Sequence, residues 1–243
     1  GSSRVGSRRR LVLANPLWMT VACGYDDMAF GNLRLPELQT PTPGLAQIYF
    51  SWSTAEMLRT SVLQAHCKKV AFLSVPAVFF HMSSEERREH GCRLFEFDRQ
   101  WDGDEGFIFY DCYKPTDLSD TLHAQFDFLI ADPPKLTREV LENYAATIRL
   151  LAAPQAKIVF STMEAHSDLM LDMLSVFPRT YRPFLPGFAW SEDGHYAFFT
   201  NFNSPEFSVH NTEFDQFGPV QKRETDETVD EYWWHLHGPE HEI

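Results

Sequence analysis

The stretch FDFLIADPPK, residues 126–135, decides the fold class. Its first six residues are mostly apolar, which is typical of a strand buried inside a sheet. Asp132 follows at once, and Pro133 and Pro134 then restrict the backbone because proline fixes φ. A rigid acidic turn at the end of a buried strand can hold an amine in one position.

Similar apolar runs recur along the chain, and helical patterns lie between most of them. Further strands are predicted at KKVAFLSVP, CRLFEFD, EGFIFYD, KIVFST and HYAFFTNF, and helices over residues 53–66, 83–90, 136–152 and 165–177. Strands that alternate with helices indicate an α/β fold, in which a parallel sheet is covered by helices on both faces.

The two ends of the chain differ from this central region. Residues 1–45 are interrupted by proline and glycine and predict an irregular N-terminal arm. Residues 205–243 contain ten Asp and Glu against two Lys and Arg, which predicts an acidic C-terminal tail. The folded domain is therefore predicted over residues 46–204.

Charge and cysteine content limit the partners and the compartment. The formal net charge of −13 opposes nonspecific binding to nucleic acid and favours a basic protein partner. The longest apolar run, residues 70–82, contains Pro76 and is too short to span a bilayer, so we expect no membrane partner. The four cysteines form no CxxC pair, so we expect reduced thiols, a cytoplasmic protein and no metal site. A mitochondrial location is the alternative if the Arg-rich start is the remnant of a presequence.

Polar residues follow four of the predicted strands, where an open parallel sheet binds its ligand. Carboxylates after the second strand suit the vicinal hydroxyls of a ribose, and an aromatic residue and an acid after the third suit an adenine. The first strand has no glycine-rich phosphate loop, so the pattern favours an adenosine cofactor without a phosphate group to bind. Helix caps or solvated turns are the alternative role for each acid. The candidates are Ser74, Pro76, Glu96, Asp98, Tyr110, Asp111 and Asp132.

Three segments together resemble one enzyme family. AQIYFSWSTA, LFEFDRQW with GDEGFIFYDCYKPTDL, and FDFLIADPP occur in this order between residues 46 and 134. They are similar to the elongation factor 1-alpha lysine methyltransferases of the N6-adenine-methyltransferase-like group. The resemblance implies a class I, Rossmann-like methyltransferase fold with a mostly parallel seven-stranded sheet, and S-adenosylmethionine as cofactor.

The resemblance also implies roles for particular residues. Glu96 and Asp98 become the ribose clamp, with Asp98 favoured because it is predicted at the strand end. Ser74 and Pro76 are expected near the methionine part of the cofactor, and Tyr110 and Asp111 near its adenine. An aromatic stretch before the first helix is expected to close over the cofactor or the methyl acceptor; for Phe50, packing on the core is the alternative. This stretch contributes Gln47, Tyr49, Phe50 and Ser51.

Asp132, Pro133, Pro134 and Lys135 are the predicted catalytic turn. Members of the family typically carry an aromatic residue where this chain has Lys135. The lysine side chain can lower the pKa of an incoming amine, neutralise Asp132, or point to solvent. The sequence predicts methyl transfer to a protein lysine, with elongation factor 1-alpha as the implied substrate. An inactive methyltransferase fold that serves as a binding module, and an RNA adenine-N6 methyltransferase, are the alternatives.

Overall fold

The structure is a computed structural model, and it describes residue 45, residues 48–186 and residues 195–217, with side chains to residue 215. Residues 1–44, which include Cys23, residues 46–47, which include Gln47, and residues 187–194 and 218–243 lie outside the described residues. The predictions made for them therefore stay predictions.

Helices and strands alternate over most of the described chain. The helices are α1 (Trp52–Gln64), α2 (Pro76–His81), α3 (Ser84–Glu89), α4 (Arg138–Leu151) and α5 (Ser167–Leu174). The strands are β1 (Val70–Leu73), β2 (Arg93–Glu96), β3 (Phe107–Phe109), β4 (Phe126–Ala131), β5 (Ala152–Met163), β6 (Phe177–Pro178) and β7 (Tyr196–Thr200). Short 3-10 helices span Arg99–Trp101, Asp120–Leu122, Glu164–His166, Pro205–Ser208 and Thr212–Phe217.

The strands form one seven-stranded sheet in the order β3-β2-β1-β4-β5-β7-β6. Strands β1 to β5 pair in parallel, and β7 is antiparallel to both β5 and β6. The predicted α/β, mostly parallel, Rossmann-like sheet is thus confirmed. The strand order reverses between β1 and β4, which are hydrogen-bonded neighbours, so the carboxyl ends of these two strands mark the switch point where open sheets bind ligands.

Helices cover both faces of the sheet because alternate residues of each central strand point to opposite sides. On one face, Phe72 and Phe128 pack with Leu58 of α1, and on the other Leu129 packs with Ile148 of α4. All of these side chains are fully buried. Since burying one such side chain is worth about 1.5–3 kcal/mol, the two layers hold the strand ends in fixed relative positions.

Two local elements differ from the prediction. The apolar run after β1 forms α2, with Pro76 in its first turn, where the missing N–H of proline costs nothing. The last predicted helix stops at Leu174 because Ser175 adopts a left-handed conformation with φ of 54°. Phe177 and Pro178 then leave that predicted helix and form the short edge strand β6.

The packed core continues past residue 204 into the segment predicted as a tail. Phe207 and Phe214 are buried, and the ring of Phe214 packs edge-to-face against Phe184. The Oγ of Ser51 donates a hydrogen bond of 2.6 Å to Oε2 of Glu213. Residues 205–215 therefore lie against the start of α1 instead of extending from the domain.

Three observations on the described residues concern membranes, metals and thiols. None of their helices combines the length and apolarity needed to cross a bilayer. They contain no group of three or more His, Cys, Asp or Glu side chains placed to hold a metal ion. Cys67, Cys92 and Cys112 are free thiols.

Candidate active site

The polar residues predicted at four strand ends lie along one edge of the sheet. Backbone hydrogen bonds join these ends: the N–H of Ser74 donates to Phe95 O at 2.9 Å, and the N–H of Asp132 donates to Leu73 O at 3.1 Å. The N–H of Tyr110 donates to Glu96 O at 3.0 Å. The ends of β1, β2, β3 and β4 therefore form one continuous rim.

Ser74 occupies the bend that follows β1. Its φ is 56°, a left-handed conformation in which glycine is favoured. Its Oγ lies 2.6 Å from the hydroxyl of Tyr144 on α4, so that helix holds the bend in place. Pro76, two residues on, is buried as the first residue of α2. Ser74 thus adopts the left-handed bend after β1, where no glycine is present.

Glu96 and Asp98 are both buried, but their carboxylates have different partners. Glu96 is the last residue of β2, and its Oε1 accepts the backbone N–H groups of Phe97 (2.8 Å) and Asp98 (3.1 Å). Its Oε2 has no hydrogen-bond donor among the described residues. Burial raises the pKa of Glu96 to about 7.

Asp98 caps the 3-10 helix Arg99–Trp101 instead of ending the strand. Its Oδ1 accepts the N–H of Gln100 at 3.0 Å, and its Oδ2 accepts Nε2 of the same residue at 2.7 Å. The prediction that Asp98 stands at the strand end is therefore wrong, because β2 ends two residues earlier. Glu96, with an oxygen that lacks a donor, has the better geometry for a hydroxyl ligand.

Tyr49 completes this part of the rim. Its hydroxyl is buried and has no hydrogen-bond partner among the described residues. The pKa of Tyr49 is raised, first by burial and then by the negative charges of Glu96 and Asp98. A buried hydroxyl without a partner beside two carboxylates is costly unless a polar ligand satisfies it. A vicinal diol fits, because its O–H groups can donate to a carboxylate and accept from a tyrosine.

Tyr110 and Asp111 were predicted to bracket an adenine. The ring of Tyr110 is only 2% exposed, and its hydroxyl lies 2.9 Å from Thr147 Oγ1. Its ring packs edge-to-face on Tyr144, so Tyr110 has a structural role in the core. Asp111 is partly exposed and accepts the N–H of Tyr113 at 3.0 Å. Contact with adenine stays a prediction for Asp111, and Tyr110 presents no free ring face for it.

Two exposed aromatic rings at this edge were missed by the sequence analysis. Phe97 follows β2 and Phe109 ends β3, and their ring centroids are 5.5 Å apart. The guanidinium of Arg99 lies 4.0 Å above the Phe109 ring. The signal was present, because FEFD and FIFYD place each phenylalanine next to a candidate residue.

Of the stretch predicted to close over the ligand, two residues belong to the core. Phe50 is buried, and its ring centroid lies 5.6 Å from that of Phe198. Phe50 therefore packs on the core, which was the alternative given for it. Ser51 is buried and caps α1 by accepting the N–H of Thr54. Tyr49 lies beside the carboxylates after β2, and Gln47 is outside the described residues.

Asp132, directly after β4, is held by side chains from two other strands. Its Oδ1 accepts the hydroxyl of Ser161 on β5 at 2.5 Å and the hydroxyl of Tyr196 on β7 at 2.6 Å. Its Oδ2 has no hydrogen-bond donor among the described residues. Burial raises the pKa of Asp132 to about 7, although both hydroxyls act in the opposite direction. The carboxylate therefore has one oxygen occupied and one left for a ligand.

Ser161 and Tyr196 were not predicted as site residues. They are 29 and 64 positions from Asp132 and lie inside runs that predicted buried strands. Their hydroxyls within apolar strands were the available signal, since a buried hydroxyl needs a partner. A single sequence does not show which partner that is.

Lys135 points away from Asp132. Its Nζ lies 3.4 Å from the hydroxyl of Tyr113 and 5.9 Å from the centroid of that ring. It makes no ion pair with Asp132, so the neutralisation alternative has no support in this geometry. Pro133 is buried and Pro134 is exposed, so the turn leaves the core at its second proline.

The likeness of the chain to known proteins identifies its family. The model of the family described as "Probable N6-adenine methyltransferase" matches residues 42–204, which is more than half of the chain. The chain belongs to this methyltransferase family. The seven-stranded sheet and the acidic turn after β4 are therefore parts of a methyltransferase domain.

Several relatives of this methyltransferase carry names that specify an acceptor. The protein "EEF1A lysine methyltransferase 1" of Danio rerio is 37% identical over 148 residues, which cover 56% of this chain and 87% of the relative. The protein of the same name from Mus musculus is 30% identical over 165 residues, covering 66% and 74%. "Protein-lysine N-methyltransferase EFM5" of Saccharomyces cerevisiae is 31% identical over 118 residues, covering 45% and 48%.

Proposed function

We propose that this methyltransferase transfers a methyl group from S-adenosylmethionine to a lysine side chain of a protein, with elongation factor 1-alpha as its substrate. The names of its relatives support the lysine acceptor and the substrate. The net charge of −13 supports a basic protein partner.

The observation that carries the proposal is the Asp132 carboxylate, which has no cationic partner among the described residues. Its Oδ2 lacks a donor, and Lys135 turns toward Tyr113. A buried carboxylate without a counter-ion favours a cationic ligand, because the ligand then supplies the missing charge. A lysine ammonium supplies that charge, and the neutral amine of adenine does not.

The residues at the ends of β1 and β2 fit the cofactor. Glu96 Oε2 and the Tyr49 hydroxyl are suited to the ribose diol, and the bend at Ser74 faces the switch point where the methionine part is expected. When bound, the cofactor supplies a methyl group on a positively charged sulfur. The two carboxylates after β2 also favour that positive charge electrostatically.

Asp132 positions the acceptor and takes up its proton. The amine must be neutral to react, and the reference pKa of lysine is about 10.4. Oδ2 accepts one N–H of the ammonium and then takes up that proton. The lone pair left on nitrogen at first points toward the carboxyl group, and rotation about the Cε–Nζ bond of the acceptor lysine turns it toward the methyl group. A carboxyl group whose pKa is raised to about 7 is a better base than an ordinary aspartate. Holding the amine in line can lower the barrier by roughly 7–11 kcal/mol in well-oriented cases.

The adenine alternative has less support from this site. Base stacking contributes about 1–3 kcal/mol, and the position after Pro134 carries Lys135 instead of a ring. Tyr113 brings an exposed ring next to that position, but its hydroxyl is bonded to Lys135. The binding-module alternative requires a disabled turn, whereas Asp132 keeps an oxygen without a donor.

We propose the cytoplasm as the location, where thiols such as Cys67 and Cys92 stay reduced. The mitochondrial alternative predicts that a tagged full-length protein is imported. Imaging that protein in cells distinguishes the two.

The test of the function uses the full chain, labelled S-adenosylmethionine and two acceptors assayed in parallel. Unmodified elongation factor 1-alpha is expected to become labelled on lysine, identified by mass spectrometry, and an adenine-containing RNA is expected to stay unlabelled. Asp132→Asn is the matched control and is expected to leave both unlabelled. Labelling of RNA alone would overturn the lysine proposal, and cofactor binding without transfer to any acceptor would favour the binding module.

A further inference from the structure

Two hydroxyls from the next two strands of the sheet contact the Asp132 carboxylate. Ser161 lies on β5 and Tyr196 on β7, and both are buried. Their contacts with Oδ1, at 2.5 and 2.6 Å, are in the range of hydrogen bonds from a hydroxyl to a charged oxygen. Because both converge on one oxygen, they fix the plane of the carboxylate.

The hydroxyl of Ser161 has two acceptors for its single proton. It lies 3.0 Å from the carbonyl oxygen of Ala131 and 2.5 Å from Oδ1 of Asp132. Tyr196 carries a second proton, which it donates to the same Oδ1. Both hydroxyls therefore have a proton within hydrogen-bond distance of Oδ1.

Among the described residues, no charged side chain is bonded to the Asp132 carboxylate. Its backbone N–H is bonded to Leu73 O on β1, and Lys135 in the following turn points to Tyr113. Among the described residues, Tyr196 is the titratable side chain bonded to this carboxylate, and Ser161 is its neutral partner.

We propose that Tyr196 and Ser161 are positioning residues, which hold Oδ1 of Asp132 so that Oδ2 faces the acceptor amine in its charged form. The inference rests on the proposed function, because Oδ2 needs an amine acceptor for its direction to matter. Both hydroxyls act through Asp132 and do not touch the substrate.

Removal of one donor affects Asp132 in a predictable direction. A hydrogen bond to the carboxylate stabilises its charged form, so losing the bond raises the pKa. The acid limb of the rate profile then moves to higher pH, by about one unit for one charge-assisted bond. The loss of rate is consequently large near neutral pH and small at high pH, where Asp132 is ionised in either protein.

The experiment compares Tyr196→Phe with Tyr181→Phe in the full chain. Both substitutions remove a buried tyrosine hydroxyl, but that of Tyr181 is bonded to Thr54 and not to Asp132. We expect Tyr196→Phe to lower kcat about fivefold at pH 7 and less than about twofold at pH 9, with KM nearly unchanged. Tyr181→Phe is expected to keep the wild-type pH profile.

A readout that needs no activity is the titration of Asp132 itself. Carbon-13 NMR of aspartate-labelled protein, assigned with Asp132→Asn, is expected to show a higher pKa for Asp132 in Tyr196→Phe than in wild type. Ser161→Ala is the second variant and is expected to shift it in the same direction. An unchanged titration in both folded variants would overturn the inference. If the wild type methylates no acceptor, the proposed function fails, while this titration still decides whether the hydroxyls control Asp132.

Discussion

The two carboxylate regions of the site are built in different ways. After β2, Glu96 accepts N–H groups from the next two residues, and Asp98 binds Gln100 two positions on. After β4, Asp132 is held by hydroxyls 29 and 64 positions away, on β5 and β7. The first region is organised by its own loop, and the second by the assembled sheet.

Under the proposed function, the region after β2 binds the cofactor and the region after β4 binds the methyl acceptor; we call them the cofactor half and the acceptor half. A carboxylate held by local backbone groups keeps its direction while other parts of the domain move, which suits the binding of a cofactor. The direction of Asp132 depends on the register of β5 with β7, in which Met163 pairs with Tyr196. The acceptor half therefore responds to changes far along the chain, and the cofactor half does not.

The largest expected effect is that of Asp132→Asn, which should impair methyl transfer but not cofactor binding. Asp132→Asn keeps an oxygen for both hydroxyls but cannot take a proton, so methyl transfer is expected to fall at least about 10³-fold. Affinity for S-adenosylmethionine is expected to change less than about threefold. Calorimetric titration and single-turnover transfer measure the two quantities. A large loss of cofactor affinity would show that Asp132 also serves the cofactor half.

The second expected effect lies in the cofactor half. Glu96→Gln replaces a carboxylate by an amide and is expected to weaken cofactor binding about tenfold or more. Asp98→Asn is expected to weaken it less and to act through the 3-10 helix Arg99–Trp101, which Asp98 caps. Calorimetry on both variants, with melting temperatures, tests this order. A stronger effect of Asp98→Asn at unchanged stability would return the ribose clamp to Asp98.

Much of the cofactor half could be predicted from the sequence, and the reason is its locality. FEFD places an acid at a strand end, and a carboxylate with backbone donors within two residues needs no knowledge of the fold. The partners of Asp132 could not be predicted, because Ser161 and Tyr196 reach it only through pairing between distant strands. The alternation of strands and helices was predictable from the sequence pattern, whereas α2 was not, since its apolar residues resemble a buried strand.

A third effect concerns stability and pH. The pKa of Asp132 rises from an ordinary 3.8 to about 7 on folding, so the folded state holds its proton to higher pH than the unfolded chain. Stability is therefore lost as the pH rises between these values. Asp132→Asn has no carboxyl group to ionise and so does not lose this stability. The unfolding free energy of Asp132→Asn minus that of the wild type is expected to increase by about 2–3 kcal/mol from pH 5 to pH 8.

Urea denaturation at pH 5, 6.5 and 8 measures this change. Asp172→Asn on the exposed face of α5 is the matched control for the loss of an aspartate carboxylate. If the difference in unfolding free energy between Asp132→Asn and the wild type did not change with pH, the pKa of Asp132 would be the same in the folded and unfolded states, and the prediction would be wrong. The same test applies to Glu96→Gln, because burial raises the pKa of Glu96 to about 7 as well.

The smallest expected effect is at Lys135, where the resemblance implies an aromatic residue. Its ammonium lies at the rim with the exposed Tyr113 ring and does not contact Asp132, so it does not set the charge of the acceptor half. Lys135→Ala and Lys135→Tyr are each expected to change kcat less than about threefold, because a partly exposed contact of this kind contributes little. A tenfold gain for Lys135→Tyr would instead mean that a ring at this position is needed and that Lys135 had impaired the site.

The acid limb of the pH profile adds a second criterion. If Lys135 neutralised Asp132 in the working enzyme, Lys135→Ala would move that limb to higher pH, as Tyr196→Phe is expected to do, and the two sides of Asp132 would no longer differ.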